Sequence, residues 1–465
     1  MKYSKIHLVI IQFCIILFCA STACNFIFST NESVNIFKGE KYNILILTID
    51  SLRRDSLSSF GNPELTSPYI DRYFRDGTIF TNMFSQSGWT TPSLISIFTS
   101  LYPSIHGVDR KGVHLKEDIN TIADLLVKKG YRVPDISYLF ELSKINYSNL
   151  GFEPVGYGLP PHEDFNFSLL DWMEKNQNDP FCVWYHYPVV HLPYNPPEPY
   201  KSLYSSLRDV HFSNNNIIEM VVKHSRIKKT DLVEGNDTKF EDLNEEQKEK
   251  IIKSVRSLYM GDIRYVDNFL RSVFMKLTEL RLMENTIVIL TADHGEELFD
   301  HDGLGHASTS LKGTLYDELI NIPLLINIPD NVQRKISEKI VQGIDVLPTI
   351  YELNGWENES FFLGNSFASS LFKETGKKGS DNFVYSETTP CGYNCDEEQY
   401  KIRLKALRKD KWKLIARYKG SDLLSSELYN IEDDLMEKSD LSSSEKKMVE
   451  KLNRIINRLK GKEEK

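Results

Sequence analysis

Tyr42-Asn-Ile-Leu-Ile-Leu-Thr-Ile49 is a nearly continuous run of apolar and β-branched residues that stops at Asp50. A strand apolar on both faces belongs at the buried centre of a parallel sheet. The pattern returns far along the chain as Thr286-Ile-Val-Ile-Leu-Thr-Ala292, which stops at Asp293-His294-Gly295. Phe181-Cys-Val-Trp-Tyr185, ending near His186, is a third run. Ile322-Pro-Leu-Leu-Ile-Asn-Ile328 is a fourth, with Pro323 at its start. Helical patterns lie between them. Asn120 to Lys129 precedes Gly130, a helix stop. Asn244 with Gln247 fits a capping box. It opens a long pattern in which Ile251, Val255, Tyr259, Ile263, Val266, Leu270, Val273 and Leu277 fall at three-four spacing. Strands alternating with helices predict an α/β fold, a large and mostly parallel central β-sheet sandwiched by helices.

Working outward, residues 42–375 are expected to form this large domain. Residues 201–243 are charge-rich and poorly periodic (Ser213-Asn-Asn-Asn216, Lys228-Lys229, Glu234-Gly-Asn-Asp237), and read as an insertion at its rim. The last hundred residues change character. Asn382-Phe-Val-Tyr-Ser-Glu387, Ile402-Arg-Leu-Lys-Ala-Leu407 and Trp412-Lys-Leu-Ile-Ala-Arg-Tyr418 are short alternating strands. They predict a small antiparallel α+β subdomain over 376–441, followed by a charged helical tail over 442–465.

At 465 residues with 41% hydrophobic and 26% charged, the chain has globular composition. Its net charge of −9, without a basic block, argues against nucleic acid as a partner, because phosphate neutralisation needs clustered cations. Six cysteines exclude a disulfide scaffold. Cys391-Gly-Tyr-Asn-Cys395 is either a small disulfide loop or a free-thiol pair.

Residues 1–23 read as an address. Lys2 and Lys5 precede an apolar stretch from Ile6 to Ala20, and Ala20-Ser-Thr-Ala23 leads into Cys24. This is signal-peptide grammar. Cys24 after Ser-Thr-Ala resembles a bacterial lipoprotein cleavage site, with Ser21 where leucine is usual. Lipid anchoring to a membrane through Cys24, plain cleavage after Ala23 and an uncleaved anchor stand as alternatives. The expectation is an exported protein, periplasmic or at the cell surface, with residues 24–41 as a tether. Loss of Lys2 and Lys5 with residues 1–23 would take the net charge from −9 to −11.

Two central strands ending in acids carry the chemical suggestion. In open α/β sheets ligands bind at the carboxyl ends of the strands. Asp50, Asp293 and His294 converging there would hold a divalent metal ion. The alternative is that Asp50 caps a helix and Asp293 opens a turn. Thr90 and Thr91 precede Pro92, a helix-start signal. A hydroxyl there either caps the helix or is presented with an anion at its positive end. His301 and His306 share the glycine-broken stretch Asp300-His-Asp-Gly-Leu-Gly-His306. Arg54 would touch the substrate's anion or form a surface ion pair. His186 reads as a core or supporting histidine, and Asp267 as structural.

Taken in order, Ile46-Leu-Thr-Ile-Asp50-Ser-Leu-Arg-Arg-Asp-Ser-Leu, Thr90-Thr-Pro-Ser-Leu with Thr99-Ser-Leu-Tyr-Pro, Val190-His191-Leu-Pro-Tyr-Asn-Pro-Pro197, Leu290-Thr-Ala-Asp293-His294-Gly-Glu-Glu and Lys312-Gly-Thr-Leu-Tyr-Asp-Glu318 resemble the sulfatase branch of the alkaline phosphatase superfamily. Trp412-Lys-Leu-Ile and Glu427-Leu-Tyr-Asn-Ile-Glu-Asp-Asp434 resemble that family's terminal subdomain, so the likeness covers about residues 42–441. The resemblance implies Asp50, Asp293 and His294 as ligands of a divalent ion (Ca, Mg, Mn or Zn), with Thr90 beside it as nucleophile. It implies Lys312 on the substrate's anionic oxygens and His191 facing the substrate or leaving group. His191 or His306 would protonate the leaving oxygen. The implied substrate is a small anionic ester, or an ester-bearing glycan or lipid.

The sequence departs from that family at four places. Sulfatases carry a cysteine or serine, converted to formylglycine, where Thr90 stands, and an arginine where Leu94 stands. Their second metal aspartate is Ser51 here. A Lys-x-His motif expected within Val133 to Phe152 is missing. A threonine nucleophile is similar to that of the phosphodiesterase and phosphotransferase branches, so an exported phosphoester hydrolase or transferase is expected first. A sulfatase working without formylglycine and a non-catalytic surface lipoprotein are the alternatives.

Overall fold

The computed structural model describes residues 41–465 apart from 111–112, 137–149, 156–165, 205–243, 302, 308–312, 330–333, 373–382, 393–394 and 464–465. The expected leader, the expected tether up to residue 40 with Cys24, most of the expected rim insertion, and Lys312 lie outside the described residues.

Six strands form the central sheet: β1 (Asn43–Ile49), β2 (Thr78–Phe84), β3 (Cys182–Tyr187), β4 (Thr286–Ala292), β5 (Asn321–Asn327) and β6 (Lys335–Gln342). Their order is β6-β2-β5-β4-β1-β3. β1 runs parallel to both β3 and β4, and β2 parallel to β6. Only β5 runs against its neighbours β2 and β4. The sheet is therefore mostly parallel, as the apolar runs predict. Every residue of β1 and of β4 is buried. Burying a Leu or Ile side chain is worth about 1.5–3 kcal/mol, so these two strands are the core's anchor.

Pro323 sits inside β5, where it has no amide hydrogen for the ladder. The β2–β5 register shifts between Phe80 and Met83, opposite that proline. β2 and β6 escape the sequence reading. Three residues of β2 are polar, and β6 is a half-exposed edge strand.

Helices α1 (Thr90–Thr99), α2 (Ile122–Lys128), α3 (Phe167–Asn176), α4 (Glu245–Glu279) and α5 (Val346–Leu353) join and flank the strands. The cap of α2 is Thr121, not Asn120. Its hydroxyl accepts from the Ala123 and Asp124 amides, and Gly130 ends the turn with φ +83°. The long helix α4 spans 35 residues. Asp267 on α4 caps the short helix Pro68–Tyr73, accepting from the Tyr69 and Ile70 amides at 3.0 and 2.8 Å, so it is structural as expected.

The C-terminal sheet has four antiparallel strands, one more than the alternation predicts: β7 (Phe383–Thr388), β8 (Ile402–Lys409), β9 (Trp412–Lys419) and β10 (Asp422–Asn430). α6 (Lys446–Glu463) is charged, yet buries Val449, Leu452 and Ile456 against one face of this sheet. The other face packs Val384, Leu404, Ala406 and Ile415 on Phe84, Leu315, Leu319 and Ile320 of the large domain. Cys391 and Cys395 are disulfide-bonded, and Cys182 is a buried thiol. Among the described residues no helix is long and apolar enough to cross a membrane.

Candidate active site

β1 and β4 are paired in register so that Ile49 lies opposite Ala292. The residues that follow, Asp50 and Asp293, therefore emerge side by side at the carboxyl edge of the sheet. Both are buried. The donor atoms of Asp50, Asp293 and His294 all lie within 4.8 Å of one another. The Nε2 atom of His294 is 3.6 Å from Asp50 Oδ1, 3.3 Å from Asp293 Oδ2 and 3.2 Å from Thr90 Oγ1.

The tautomer of His294 follows from its partners. Nδ1 is 2.7 Å from the Gly295 carbonyl oxygen, which can only accept. Nδ1 therefore carries the hydrogen, and Nε2 offers its lone pair to the acids, the form that ligates a metal. Burial holds the His294 pKa below the ordinary imidazole value, against the pull of Asp293, so the ring is neutral.

Asp293 Oδ1 accepts from the Ser51 and His294 amides at 3.1 and 2.8 Å, whereas Oδ2 is buried with no hydrogen-bond partner. A buried carboxylate oxygen left without a donor is costly unless a cation meets it. Two carboxylates, a bare imidazole nitrogen and the threonine hydroxyl around one point fit a divalent ion.

Asp50 is held from behind by His186. Trp184 donates its indole hydrogen to Thr48 Oγ1 at 2.9 Å, and Thr48 Oγ1 is 2.8 Å from His186 Nδ1. With the Thr48 hydroxyl donating onward, His186 carries its hydrogen on Nε2, which lies 3.4 Å from Asp50 Oδ2. Burial works to raise the Asp50 pKa. The charge of His191 and the imidazole of His186 behind it outweigh it and hold the carboxyl well below the usual range. His186 is thus the supporting histidine that the sequence suggests.

Ser51, where a second acid would add charge, donates to Asp50 Oδ1 at 2.9 Å. Its backbone is left-handed, φ +58°, and is pinned by the Asp293 carboxylate on its amide and by the Tyr259 hydroxyl on its carbonyl. Strain of about 1–3 kcal/mol at such a position persists only when the surroundings over-determine it.

Thr90 is the first residue of α1. The preceding N-cap position is Trp89, and no side chain caps the helix. The simple-cap reading of Thr90 therefore fails, because its hydroxyl faces His294. The turn before it is fixed by Ser85, whose hydroxyl meets Ser93 Oγ at 2.9 Å and the Asp293 carbonyl at 2.5 Å. Gly295 is required by packing: a Cβ there would meet the Glu318 carbonyl oxygen at 1.9 Å.

The remaining histidines divide. His191 follows β3, and its ring lies 4.9 Å from that of His306, which lies 4.3 Å from that of His294. Burial works to lower the His191 pKa, but the charges of Asp50 and Glu296 raise it above the ordinary value. Burial and the neighbouring His191 push His306 down to about 3. His301 points elsewhere: it stacks on Tyr316 at 3.6 Å and joins Glu297 and Glu318 in a second group of two acids and an imidazole. Arg54 is placed away from the cluster, on the Thr81 carbonyl at 3.2 Å and over the Phe60 ring. The neighbouring Arg53 instead reaches the loop after His294, through the Glu296 carbonyl and the Asp300 carboxylate. Glu296 is the residue that sequence reasoning missed. It is buried, accepts from Tyr194 and lies 2.8 Å from His306 Nδ1, and burial pushes its pKa up to about 7. Its only signal is its place beside His294.

Known proteins share this arrangement of elements. The Ulvan-active sulfatase of Formosa agariphila is 25% identical over 361 residues, 75% of this chain and 61% of that one. This chain thus spans about 61% of that relative's length. The crystal structure of the phosphonate monoester hydrolase of Agrobacterium radiobacter superposes with a TM-score of 0.71 at 19% identity, covering 91% of this chain and 96% of that one. A protein solved in complex with its substrate D-glucosamine-2-N,6-O-disulfate gives the same TM-score and identity, covering 91% and 98%. Residues 309–465 match the family model described as N-sulphoglucosamine sulphohydrolase, C-terminal. The sulfatase family model matches residues 42–356, which take in Asp50, Thr90, His191, Asp293 and His294, and the chain belongs to the sulfatase family.

Proposed function

We propose that the chain hydrolyses esters of tetrahedral oxyanions, phosphoesters before sulfate esters, with Thr90 as nucleophile. The observation that carries this reading is the Thr90 hydroxyl, 3.2 Å from His294 Nε2, at the open start of a helix. Asp50, Asp293 and His294 would hold the divalent ion. When bound, such an ion favours the ionised Thr90 oxygen and offsets charge on the substrate's oxyanion. The uncapped first-turn amides of α1 supply further positive potential to the same anion.

The bonds balance in two displacements. Thr90 enters ionised, its proton already released to solvent; its oxygen forms a bond to phosphorus or sulfur as the bond to the leaving oxygen breaks, and the His191 imidazolium gives that oxygen its proton. Water then attacks the threonine ester, His191 takes the water's proton, and the Thr90–oxyanion bond breaks to return the Thr90 alkoxide and the His191 imidazolium. The raised pKa of His191 suits the acid of the first step. A threonine cannot be converted to the formylglycine aldehyde, which is why phosphorus is placed before sulfur. The sulfate ester of a saccharide is the second reading. It is favoured by the Ulvan-active sulfatase and by the glucosamine disulfate complex among the similar proteins.

The N-terminal segment is proposed to export the chain, with Cys24 as its lipid anchor. The Cys391–Cys395 disulfide supports an oxidising compartment.

The test is turnover of aryl phosphate monoester, phosphate diester, phosphonate and sulfate esters and of glucosamine sulfates, with Ca, Mg, Mn and Zn each supplied. Thr90→Ala is expected to lose at least about 10³-fold in kcat while keeping its fold. Equal turnover by Thr90→Ala, or none by wild type with any pair, contradicts the reading. A higher kcat/KM for glucosamine sulfates than for every phosphorus ester would put sulfate first.

A further inference from the structure

Glu296 is fully buried, and the chemistry above gives it no part. A carboxyl group out of reach of water must be held by hydrogen bonds. Each oxygen has one. Oε1 lies 2.8 Å from His306 Nδ1, and Oε2 accepts from the Tyr194 hydroxyl at 2.8 Å. Its backbone is fixed as well. The Glu296 amide donates to the Glu318 carbonyl at 3.1 Å, and its own carbonyl accepts from Arg53 at 3.3 Å.

Tyr194 belongs to the loop that carries His191. Its ring packs edge-on against Tyr259 at 5.3 Å. The Tyr259 hydroxyl donates to the Ser51 carbonyl at 2.7 Å and accepts from the Arg53 amide at 2.8 Å. One carboxyl group therefore ties together the His306 segment, the His191 loop and, through two tyrosines, the turn after Asp50.

We propose that Glu296 is a positioning residue for His306 and His191. By accepting from Nδ1 it fixes the His306 tautomer and the orientation of its ring. By holding Tyr194 it sets the His191 loop at the distance that puts the two rings 4.9 Å apart. This inference rests on the reading that His191 serves the substrate.

The experiment compares Glu296→Ala, Glu296→Gln, Tyr194→Phe, His306→Ala and the Glu296→Ala/His306→Ala pair in the full-length, metal-loaded protein. Kinetics with an aryl phosphate, metal content and imidazole ¹⁵N NMR are the readouts. Glu296→Ala is expected to lower kcat by about 10- to 100-fold, with KM nearly unchanged. Glu296→Gln keeps an acceptor for Nδ1 and is expected to recover most of that loss. The double variant is expected to be no slower than His306→Ala. In the NMR spectra His306 is a single Nδ1–H tautomer in wild type and a mixture in Glu296→Ala. Should Glu296→Ala fail to fold, Tyr194→Phe carries the test, with an expected fall in kcat of roughly 3- to 10-fold and an altered His191 signal.

Unchanged kcat, independent losses that multiply in the double variant, an unchanged His306 tautomer, or metal lost from Glu296→Gln would each overturn the proposal. The NMR readout needs no turnover. A chain whose Thr90→Ala variant refutes the hydrolytic reading can still show Glu296 fixing His306, and the reverse result is equally readable.

Discussion

Two groups in this molecule each hold two carboxylates and one histidine, and their histidines stand seven residues apart in sequence: Asp50, Asp293 and His294 in one, Glu297, His301 and Glu318 in the other. In both the donor atoms lie within 4.8 Å of one another. Their hydrogen bonding separates them. The His294 Nδ1 hydrogen is committed to a carbonyl, so a bare Nε2 faces the acids, and one buried oxygen of Asp293 has no donor. In the other group His301 Nε2 donates to the Glu437 carbonyl at 3.1 Å, and Nδ1 meets Glu318 Oε1 at 2.5 Å. Both ring nitrogens must then carry hydrogen, so His301 is an imidazolium. Burial opposes that state, but the hydrogen bond and charge of Glu318 raise its pKa. Glu297 accepts from the Gly303 amide at 2.8 Å. The first group needs a cation from outside; the second supplies its own. Proximity of acids and histidines is therefore a poor guide to a metal site until each hydrogen is assigned.

Four substitutions sharpen this contrast. The largest effect is expected on rate. Asp50→Asn should lower kcat/KM by at least about 10³-fold, whereas Glu297→Gln should leave it within a few-fold, as initial rates on an aryl phosphate will show. Comparable losses in both would erase the distinction.

An intermediate effect is expected behind Asp50. His186→Ala removes the imidazole that stands 3.4 Å behind Asp50 Oδ2 and should weaken divalent-ion binding by about 10- to 100-fold, measured by competition with a chelating indicator. Affinity equal to wild type would make His186 a core residue only.

The smallest effect concerns stability. His301 has a folded-state pKa above its unfolded value, so its bond to Glu318 stabilises fully below the unfolded pKa of about 6.5 and fades as pH rises through the folded pKa. Glu318→Gln should cost on the order of 1 kcal/mol near pH 6 and less at higher pH, read from urea unfolding. A cost that grew with pH would reverse the assignment of His301 as the cation.

Much of this architecture is legible in the sequence. β1, β3, β4 and β5 announce themselves because strands buried on both faces are apolar throughout. β2 does not, since Thr78, Thr81 and Asn82 interrupt it, and β10 does not, since Asp422 to Ser425 lie exposed at an edge. Asp50, Asp293 and His294 could be picked out because two apolar strands end in acids, and Thr90 because its segment resembles the family's nucleophile motif. Glu296 could not, because a buried carboxylate and a solvated one are the same letter, and only the folded chain brings Tyr194 and His306 to it. Nor could His301 be told from His306. The hairpin formed by Glu297–Leu298 with Leu304–Gly305 turns between them and sends the two rings to different neighbours.

The most direct test of the contrast is bound divalent metal per chain, measured by elemental analysis after equilibrium dialysis, in wild type, Asp293→Ala and Glu318→Gln. The expected result is one ion per chain in wild type and in Glu318→Gln, and none in Asp293→Ala. Metal retained by Asp293→Ala, or lost from Glu318→Gln, would contradict it.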